Sequence, residues 1–253
     1  MILKKILQLL ARKKNAREWG IKFNRVKDFQ IPKYLKLRGK EVEIELPSSE
    51  AGMLAEFVEI ILDDCYQLKS WKEKLNSEIK ILDIGGNVGL FSLAARQFFP
   101  QAIIHTYEPN SSLEKYLRHH AEVANFDYYL KALGSKDGQI KLQFSEKGSS
   151  CNTVSIFDEK GDIPMMALRK AIDNLGGHVD LAKIDCEGAE WELFEASDVW
   201  HKIQNITMEY HLYKKNHTLE KLQQVITMLG FQIKHLQPTN QYYGNLVAFR
   251  DIN

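Results

Sequence analysis

Four side chains that can exchange protons follow two apolar segments of the sequence. Asp185 and Glu187 come directly after one predicted strand, and Glu209 and His211 come after the next predicted strand along the chain. Because the carboxyl ends of neighbouring parallel strands meet at one edge of a sheet, we expect the four side chains to converge there. Together they can orient a hydroxyl group and remove its proton, and histidine titrates closest to neutral pH.

Each of these residues also has a purely structural interpretation. Side chains alternate along a strand, so Glu209 and His211 share one face, which looks either into a cavity or into a layer of helices. Glu187 stands just before Gly188 and can cap a helix that begins there. A divalent metal held by Asp185, Glu187 and His211 is conceivable, because oxygen ligands suit magnesium. These residues lack a recognisable metal-ligand spacing, so the sequence predicts no metal.

A glycine-rich loop follows an earlier short apolar segment, which ends in the sequence DIGGNVG. The loop leads into a helical pattern over residues 90–98, and a second apolar segment, 102–107, then stops on Glu108. This order predicts a parallel β-α-β unit whose loop lies at the carboxyl end of its first strand. Nucleotides bind at that end of open α/β sheets.

The loop favours S-adenosylmethionine over a dinucleotide. A dinucleotide fingerprint needs a glycine where Ile84 stands, and a carboxylate at Asp83 would repel a pyrophosphate. The same carboxylate would attract the ammonium group of S-adenosylmethionine, and Glu108 is placed to accept hydrogen bonds from the ribose hydroxyls. The alternative is an ordinary tight turn beside a surface acid. The predicted cofactor-binding residues are Asp83, Gly85, Gly86, Asn87, Gly89, Glu108, Pro109, Asn110 and Asp185.

Three segments, DIGGNVGLFSL, YEPN and KIDCEGAEWELF, in this order and spacing resemble the FkbM family of S-adenosylmethionine-dependent methyltransferases. The resemblance covers roughly residues 79–249. The D-x-E-G-A-E stretch is the part that indicates the FkbM family among the class I methyltransferases. It implies an α/β fold with a Rossmann-like seven-stranded sheet, mostly parallel with one antiparallel strand, and helices on both faces. It also implies O-methylation, often of sugars or polyketide-type natural products.

A methyl acceptor of this kind needs positioning and a base. We predict His211 as the catalytic base, with Asp185 or Glu187 orienting the acceptor or raising the basicity of the histidine. We predict that Glu209 contacts the acceptor. The family resemblance adds Ser150 and Asn152 as acceptor contacts, because they lie in the polar loop GSSCNTVS; an ordinary surface loop is the alternative there.

The sequence therefore predicts an O-methyltransferase that acts on a hydroxyl of a sugar, a glycan precursor or a related natural product. A polyketide or lipid-linked small molecule is the alternative acceptor. A non-catalytic scaffold that keeps the fold is the rival from another class of protein. Damage to the glycine loop or to Glu108 would indicate the scaffold, and the sequence has neither change.

Composition limits the class of protein and the compartment in which it works. The chain has 253 residues, of which 44% are hydrophobic and 26% charged, as in soluble globular proteins. Its three cysteines are far apart, which favours a reducing compartment over a disulfide framework. Apolar runs stay well short of the ~20 residues of a membrane span, and no signal-peptide pattern is present. We therefore expect a cytoplasmic enzyme.

The first 40 residues are strongly basic, with thirteen Lys and Arg against two acids. We predict an appendage over residues 1–50, made of an amphipathic helix (1–19) and a hairpin (34–46), before a methyltransferase domain over 51–253. The helix suits an anionic membrane face or a protein partner, but equally packing on its own domain or on a second copy. No nucleic-acid partner is expected, and the sequence leaves the oligomeric state open.

Hydrophobic periodicity predicts the remaining elements. His119 and His120 are expected on the surface of a helix. Further helices are predicted over 51–68, 111–123, 165–175 and 218–229, and further strands over 126–133, 139–144, 231–236 and 242–249.

Overall fold

The structure, a computed structural model, describes residues 2–25, 29–48, 52–142, 156–157 and 161–251. Its helices are α1 (Ile2–Glu18), α2 (Met53–Phe57, continued by a π-helical turn Val58–Leu62), α3 (Leu68–Lys72), α4 (Leu90–Phe98), α5 (Glu114–Ala124), α6 (Leu168–Asn174), α7 (Glu190–Leu193) and α8 (Leu219–Met228). Its strands are β1 (Tyr34–Leu37), β2 (Lys40–Glu43), β3 (Lys80–Ile84), β4 (Ile103–Tyr107), β5 (Asp127–Tyr129), β6 (Ala132–Gly134), β7 (Gly138–Lys141), β8 (Ile156–Phe157), β9 (Ile163–Ala167), β10 (Leu181–Ile184), β11 (Asn205–His211), β12 (Gln232–Pro238) and β13 (Tyr243–Phe249).

Seven strands form the central sheet in the order β12-β13-β11-β10-β3-β4-β5. Strand β13 runs antiparallel to both of its neighbours, and the other neighbouring pairs are parallel. The chain moves outward from β3 in one direction through β4 and β5, then resumes at β10 on the other side of β3. This is the class I methyltransferase fold, and the sequence-based prediction of fold class is confirmed.

Helices cover both faces of the sheet. On one face, Ile81 of β3 shares a buried hydrophobic cluster with Phe91 of α4 and Leu117 of α5. On the other face, Leu82 of β3 shares a second cluster with Ile172 of α6. Alternate residues of a strand therefore pack into different helix layers, as expected for a sheet that is buried on both sides.

The N-terminal segment packs on the first of these clusters. Ala16 and Trp19 are each 1% exposed, and Trp19 meets Phe98 of α4 edge to face. The Arg12 guanidinium donates two hydrogen bonds of 2.5 Å to the Asp63 carboxylate, which fixes α1 along the π-helical turn. One face of α1 thus packs on its own domain. Contact of residues 1–19 with a membrane or a partner stays a prediction.

Three predicted elements are shorter or divided in the structure. The predicted strand 126–133 is wrong in extent: β5 joins the central sheet, while β6 joins a separate sheet of order β6-β9-β7-β8. The predicted helix 165–175 begins only at Leu168, because residues 163–167 pair with β6 and β7. The predicted helix 51–68 is α2 with its π-helical turn, and the chain then turns before α3. In each case, long-range pairing or packing overrides a short-range periodicity.

The expectation that His120 lies on a helix surface is wrong. Its ring is fully buried. Its Nδ1 donates to the Val88 carbonyl oxygen at 2.5 Å, and its Nε2 accepts from the Glu45 amide at 3.2 Å. These bonds require the neutral ring, and burial lowers its pKa to about 4. The histidine thereby ties the segment after β2 to the glycine loop.

Candidate active site

A cavity of about 340 Å³ lies at the carboxyl edge of the central sheet. Its size is within the range of small-molecule sites. Its walls come from the glycine loop, the chain after β4, α2, and the ends of β10 and β11. The residues that line these walls include Glu56, Glu59, Tyr66, Gly85, Asn87, Glu108, Pro109, Asn110, Lys131, Ala132, Leu133, Asp185, Glu187, Glu209, His211, Tyr213 and Tyr243.

The glycine loop is held against the sheet by its own backbone. The amides of Gly85 and Gly86 both donate to the Tyr107 carbonyl oxygen, at 2.9 and 3.0 Å. Gly85 has φ +76°, and a Cβ atom there would overlap the Asp185 carbonyl oxygen. The glycine is therefore required by the close approach of the chain that leaves β10. Of the predicted loop residues, Gly85 and Asn87 line the cavity, whereas Gly86 and Gly89 do not.

Asp83 does not line the cavity, and contact of its carboxylate with the cofactor stays a prediction. The side chain is fully buried and accepts a hydrogen bond of 2.7 Å from the Ser92 hydroxyl of α4. Its other oxygen lies 3.3 Å from Lys183 Nζ. The physical reason is the pleat, because alternation along β3 turns Asp83 toward α4 and below the loop.

A row of polar side chains crosses the sheet at this level. Strand register aligns Thr106 with Asp83, Asp83 with Lys183, and Lys183 with Thr207. The residues at the two ends of this row are also hydrogen-bonded. Thr106 Oγ1 lies 2.7 Å from Ser92 Oγ, and Thr207 donates to the Tyr66 carbonyl oxygen at 3.0 Å. Burial opposes a charge on Lys183, but Asp83 and then Asp185 outweigh it and raise the pKa of the lysine. The row is a charged, paired floor beneath the cavity.

Glu108 stands at the wall in a fixed orientation. Its Oε2 accepts from the Asn87 amide and its Oε1 from the Asn110 amide, both at 2.8 Å. A carboxylate has about four lone-pair sites, so each oxygen can still accept another donor. Burial raises the pKa of Glu108 to about 7 in spite of these bonds. Pro109 and Asn110 also line the cavity, as the prediction of a cofactor wall requires.

Another wall of the cavity comes from α2. Glu56 accepts a hydrogen bond of 2.7 Å from the Asn87 side chain, and burial, with the charge of Asp185 second, raises the pKa of Glu56 to about 8. Among the described residues, no partner binds Asn87 Oδ1, although this atom is buried. The loop thus presents an unused acceptor beside the cavity.

The four residues predicted to converge do so. Register pairs Ile184 with Met208, which places Asp185 beside Glu209. His211 Nε2 lies 3.3 Å from Glu209 Oε1 and 3.5 Å from Glu187 Oε2. Glu209 and His211 face the cavity, while Tyr210 between them packs in the hydrophobic cluster on the other face.

Neighbouring side chains orient this cluster. Tyr66 donates to Asp185 Oδ2 at 2.7 Å, and Tyr213 donates to Glu187 Oε2 at 3.0 Å. Glu187 has φ +53°, a conformation that a non-glycine residue rarely adopts. This strained backbone turns Glu187 out of the line of β10 and over the cavity edge.

His211 is 1% exposed and is surrounded by carboxylates. Its Nδ1 lies 3.3 Å from Glu190 Oε1, and Glu190 itself accepts from the His211 amide at 2.7 Å and from the Gly188 amide at 2.8 Å. Burial disfavours the charged ring, but Glu190 and then Glu209 and Glu187 outweigh it and raise the pKa of His211 well above 6.5. Burial, with Asp185 second, likewise raises the pKa of Glu187.

The family comparison matches the region that holds these residues. Residues 83–235 match the family model described as a methyltransferase FkbM domain. The chain belongs to the FkbM methyltransferase family. It is a methyltransferase, and the family resemblance noted in the sequence is confirmed. The matched region contains the glycine loop, Glu108 and the cluster from Asp185 to His211. Glu56, Tyr66 and Tyr243, which complete the cavity wall, lie outside it.

Two curated relatives are similar to this chain. Methyltransferase 1 of Beauveria bassiana (strain ARSEF 2860) is 26% identical over 190 residues, which are 63% of this chain and 74% of that protein. Methyltransferase sdnD of Sordaria araneosa is 27% identical over 197 residues, 61% of this chain and 74% of that protein. Among solved structures, the Methanococcus jannaschii fibrillarin pre-rRNA processing protein is 12% identical with a TM-score of 0.49, covering 91% of this chain and 86% of that chain.

Several residues of the site escaped the analysis of the sequence. Lys183 had a readable signal, because a lysine inside the apolar strand LAKI must be paired if that strand is buried on both faces. Glu190 lies in the D-x-E-G-A-E stretch, but nothing in the sequence indicated its contact with His211. Tyr66 and Glu56 reach the cavity from the chain before β3, which local spacing cannot show. Ser150 and Asn152 lie outside the described residues.

Proposed function

We propose that this FkbM-family protein is an S-adenosylmethionine-dependent O-methyltransferase that acts on a hydroxyl of a sugar, a glycan precursor or a related natural product. One observation carries the proposal: a single cavity is lined both by the Glu108 and Asn87 wall and by the cluster of Asp185, Glu187, Glu209 and His211. The residues that would hold a cofactor and those that would hold an acceptor therefore line one cavity.

The residues present fit the cofactor. Glu108 is held by two backbone amides and keeps acceptor capacity for the ribose hydroxyls, and Asn87 Oδ1 is a buried acceptor that awaits a donor. Ala132 and Leu133 supply an apolar wall for a flat base. When bound, S-adenosylmethionine supplies a methyl group on a cationic sulfur that an oxygen nucleophile can attack directly. Asp83 supports the site from below, through its contacts with Lys183 and Ser92.

The charge of the cavity also favours this cofactor. Among the described residues, six carboxylates line the cavity, against Lys131 and His211 as basic side chains: Glu56, Glu59, Glu108, Asp185, Glu187 and Glu209. Because burial raises the pKa of Glu56 to about 8 and that of Glu108 to about 7, a cationic cofactor stabilises the ionised form of these groups, whereas a phosphate disfavours it. The same argument favours a neutral or cationic acceptor over one that brings a phosphate into the cluster. It therefore favours a glycoside or polyketide hydroxyl over a lipid phosphate.

We propose that the cluster positions the acceptor and takes its proton. Positioning can supply on the order of 7–11 kcal/mol of the barrier. The sequence suggested His211 as the base, but both ring nitrogens face carboxylates, so the ring is placed to donate. We assign to His211 and Asp185 the role of orienting the acceptor hydroxyl. We assign the proton-accepting role to Glu187, which stands at the cavity edge and whose Oε2 accepts a hydrogen bond from Tyr213.

Calorimetric titration with S-adenosylhomocysteine tests the cofactor. We expect saturable binding by the parent protein, and about 10-fold weaker binding by Glu108→Gln, because an amide cannot accept both backbone hydrogen bonds and both ribose hydroxyls. Glu122→Gln, at an exposed position of α5, is the matched control and should bind like the parent. Absence of binding by a folded parent protein would refute the proposal and favour the alternative of a non-catalytic scaffold that keeps the fold.

Methyl transfer to a panel of neutral glycosides and polyketide alcohols, from cofactor with a labelled methyl group, tests the acceptor. Mass spectrometry should find the label in a methyl ether. We expect Glu187→Gln to lower the transfer rate by about 100-fold, the scale of a lost general base, with S-adenosylhomocysteine binding unchanged. Label on nitrogen or carbon would contradict O-methylation.

A further inference from the structure

The cluster of Asp185, Glu187, Glu209 and His211 also contains a set of atoms that can bind a metal ion. Asp185, Glu209 and His211 each offer one such atom, and these three atoms lie within 4.8 Å of one another. They come from the ends of the neighbouring strands β10 and β11, whose register is fixed by the sheet. All three residues line the cavity, so a small ion can reach them from solvent.

The spacing suits a common centre. Two ligands at the cis positions of an octahedral ion, each at about 2.1 Å, are about 3 Å apart, and a trans pair is about 4.2 Å apart. His211 Nε2 and Glu209 Oε1 are 3.3 Å apart, close to a cis pair. The outer limit of 4.8 Å for the set is within reach of small side-chain rotations.

A separate observation concerns the way His211 is held. Its Nδ1 has no hydrogen bond of good geometry among the described residues, yet it faces the fully buried carboxylate of Glu190 at 3.3 Å. Two backbone amides anchor that carboxylate. Histidines that bind metals in proteins almost always present the other ring nitrogen to a carboxylate, a carbonyl or water in this way. The arrangement leaves Nε2 directed at Glu209 and the cavity.

The carboxylates are also arranged for a cation. Tyr66 donates to one oxygen of Asp185, which orients that carboxylate and leaves it a second oxygen to offer. Glu187 stands 3.5 Å from His211 Nε2, so a further carboxyl group lies at the same place. Without a cation, a proton on Nε2 must separate the ring from Glu209. A dication can replace that proton and neutralise more of the charge.

We propose that Asp185, Glu209 and His211 bind a divalent transition-metal cation of the Mn²⁺ or Zn²⁺ class. A set of two carboxylates and one imidazole favours these ions over Ca²⁺, which prefers oxygen ligands alone. This inference departs from the sequence-based expectation of no metal, because the sequence shows no metal-ligand spacing, whereas the structure brings the three ligand atoms within 4.8 Å of one another. It rests on the proposed function, in that a hydroxyl oxygen at such an ion becomes more acidic and is held in place.

Electron paramagnetic resonance with Mn²⁺ alone, on the full chain after treatment with a chelator, tests the site. We expect the six-line signal of free Mn²⁺ to fall to a saturable, one-to-one end point. His211→Ala and Glu209→Gln should each weaken binding at least 10-fold, since each removes a direct ligand. His201→Ala and Glu122→Gln, at exposed positions, are the matched controls and should bind like the parent.

Calorimetry with S-adenosylhomocysteine on the same samples separates this inference from the proposed function. Variants that bind S-adenosylhomocysteine like the parent are folded, so a loss of Mn²⁺ binding by them supports the metal site. A parent that binds S-adenosylhomocysteine but neither Mn²⁺ nor competing Zn²⁺ at millimolar concentration overturns the metal site and leaves the methyltransferase proposal intact. Undiminished Mn²⁺ binding by both ligand variants also overturns it.

Discussion

Lys183 Nζ lies 3.3 Å from Asp83 Oδ1, and both side chains are buried beneath the glycine loop. The lysine also donates to the carbonyl oxygens of Ile84 and Gly85. A motif residue that the sequence assigned to cofactor binding is thus half of a buried ion pair. This pair connects the stability of the sheet to the shape of the loop.

Breaking the pair should be costly. Asp83→Asn leaves the lysine charge buried and partly unpaired, so we expect the free energy of unfolding to fall by about 3–5 kcal/mol. Urea denaturation followed by circular dichroism measures the change. Asp127→Asn, at an exposed position, should alter stability by less than about 0.5 kcal/mol. If Asp83→Asn is as stable as the parent, the pair does not hold the floor of the site.

The double variant Asp83→Asn/Lys183→Met refines this prediction. Because it removes both charges, we expect it to recover a large part of the stability that Asp83→Asn loses. Equal losses in the single and double variants would show that Asp83 acts through Ser92 alone.

Gly85 should not tolerate a side chain. Gly85→Ala combines a positive φ with an overlap between the new Cβ and the Asp185 carbonyl, so we expect a loss of about 3 kcal/mol in unfolding free energy and weaker S-adenosylhomocysteine binding. Gly177→Ala is the matched control, because Gly177 has φ +85° and no atom of the described residues lies within 4 Å of a Cβ built there. It should lose only about 1 kcal/mol. Equal effects at the two positions would rule out the overlap as the cause.

His120 should make the fold sensitive to mild acid. Its pKa falls to about 4 in the folded protein because of burial, whereas the unfolded chain binds a proton at about 6.5. Between these values the unfolded state holds more protons, so stability decreases as the pH falls from about 6.5 to 4, by up to about 3 kcal/mol. Urea denaturation at pH 7 and pH 5 should show a larger loss for the parent than for His120→Asn. His201→Asn, at an exposed position, should follow the parent; identical pH profiles for all three proteins would contradict the prediction.

Tyr66 should act on the acceptor side of the site and not on the cofactor side. Tyr66→Phe removes the hydroxyl that donates to Asp185, a hydrogen bond to a charged group worth about 1.5–3 kcal/mol. We expect methyl transfer to an acceptor found in the screen to slow about 10-fold, with binding of S-adenosylhomocysteine within about 2-fold of the parent. Tyr116→Phe on α5, away from the cavity, should change neither. If Tyr66→Phe weakened only the binding of S-adenosylhomocysteine, Tyr66 would act on the cofactor side of the site and the prediction would be wrong.

Local pattern in the sequence was sufficient for the fold class and for much of the site. The strand, glycine loop and helix of residues 81–98 follow from periodicity and turn residues, and Glu108 follows from the end of the next strand. Asp185, Glu187, Glu209 and His211 were predicted to meet because residues after neighbouring parallel strands share one edge. That rule depends only on the order of elements, so a single sequence can supply it.

Tertiary structure alone decided what each charged group faces. Whether Asp83 points into the cavity or under it depends on the pleat of β3 and on Lys183, a hundred residues later in the chain. His120 and Tyr66 acquire their roles from segments that approach through space. The division of residues 126–134 between two sheets has the same origin. Hydrophobic periodicity records which face of an element is buried, but it carries no information about the partner that covers that face, and the pairing of charges depends on that partner.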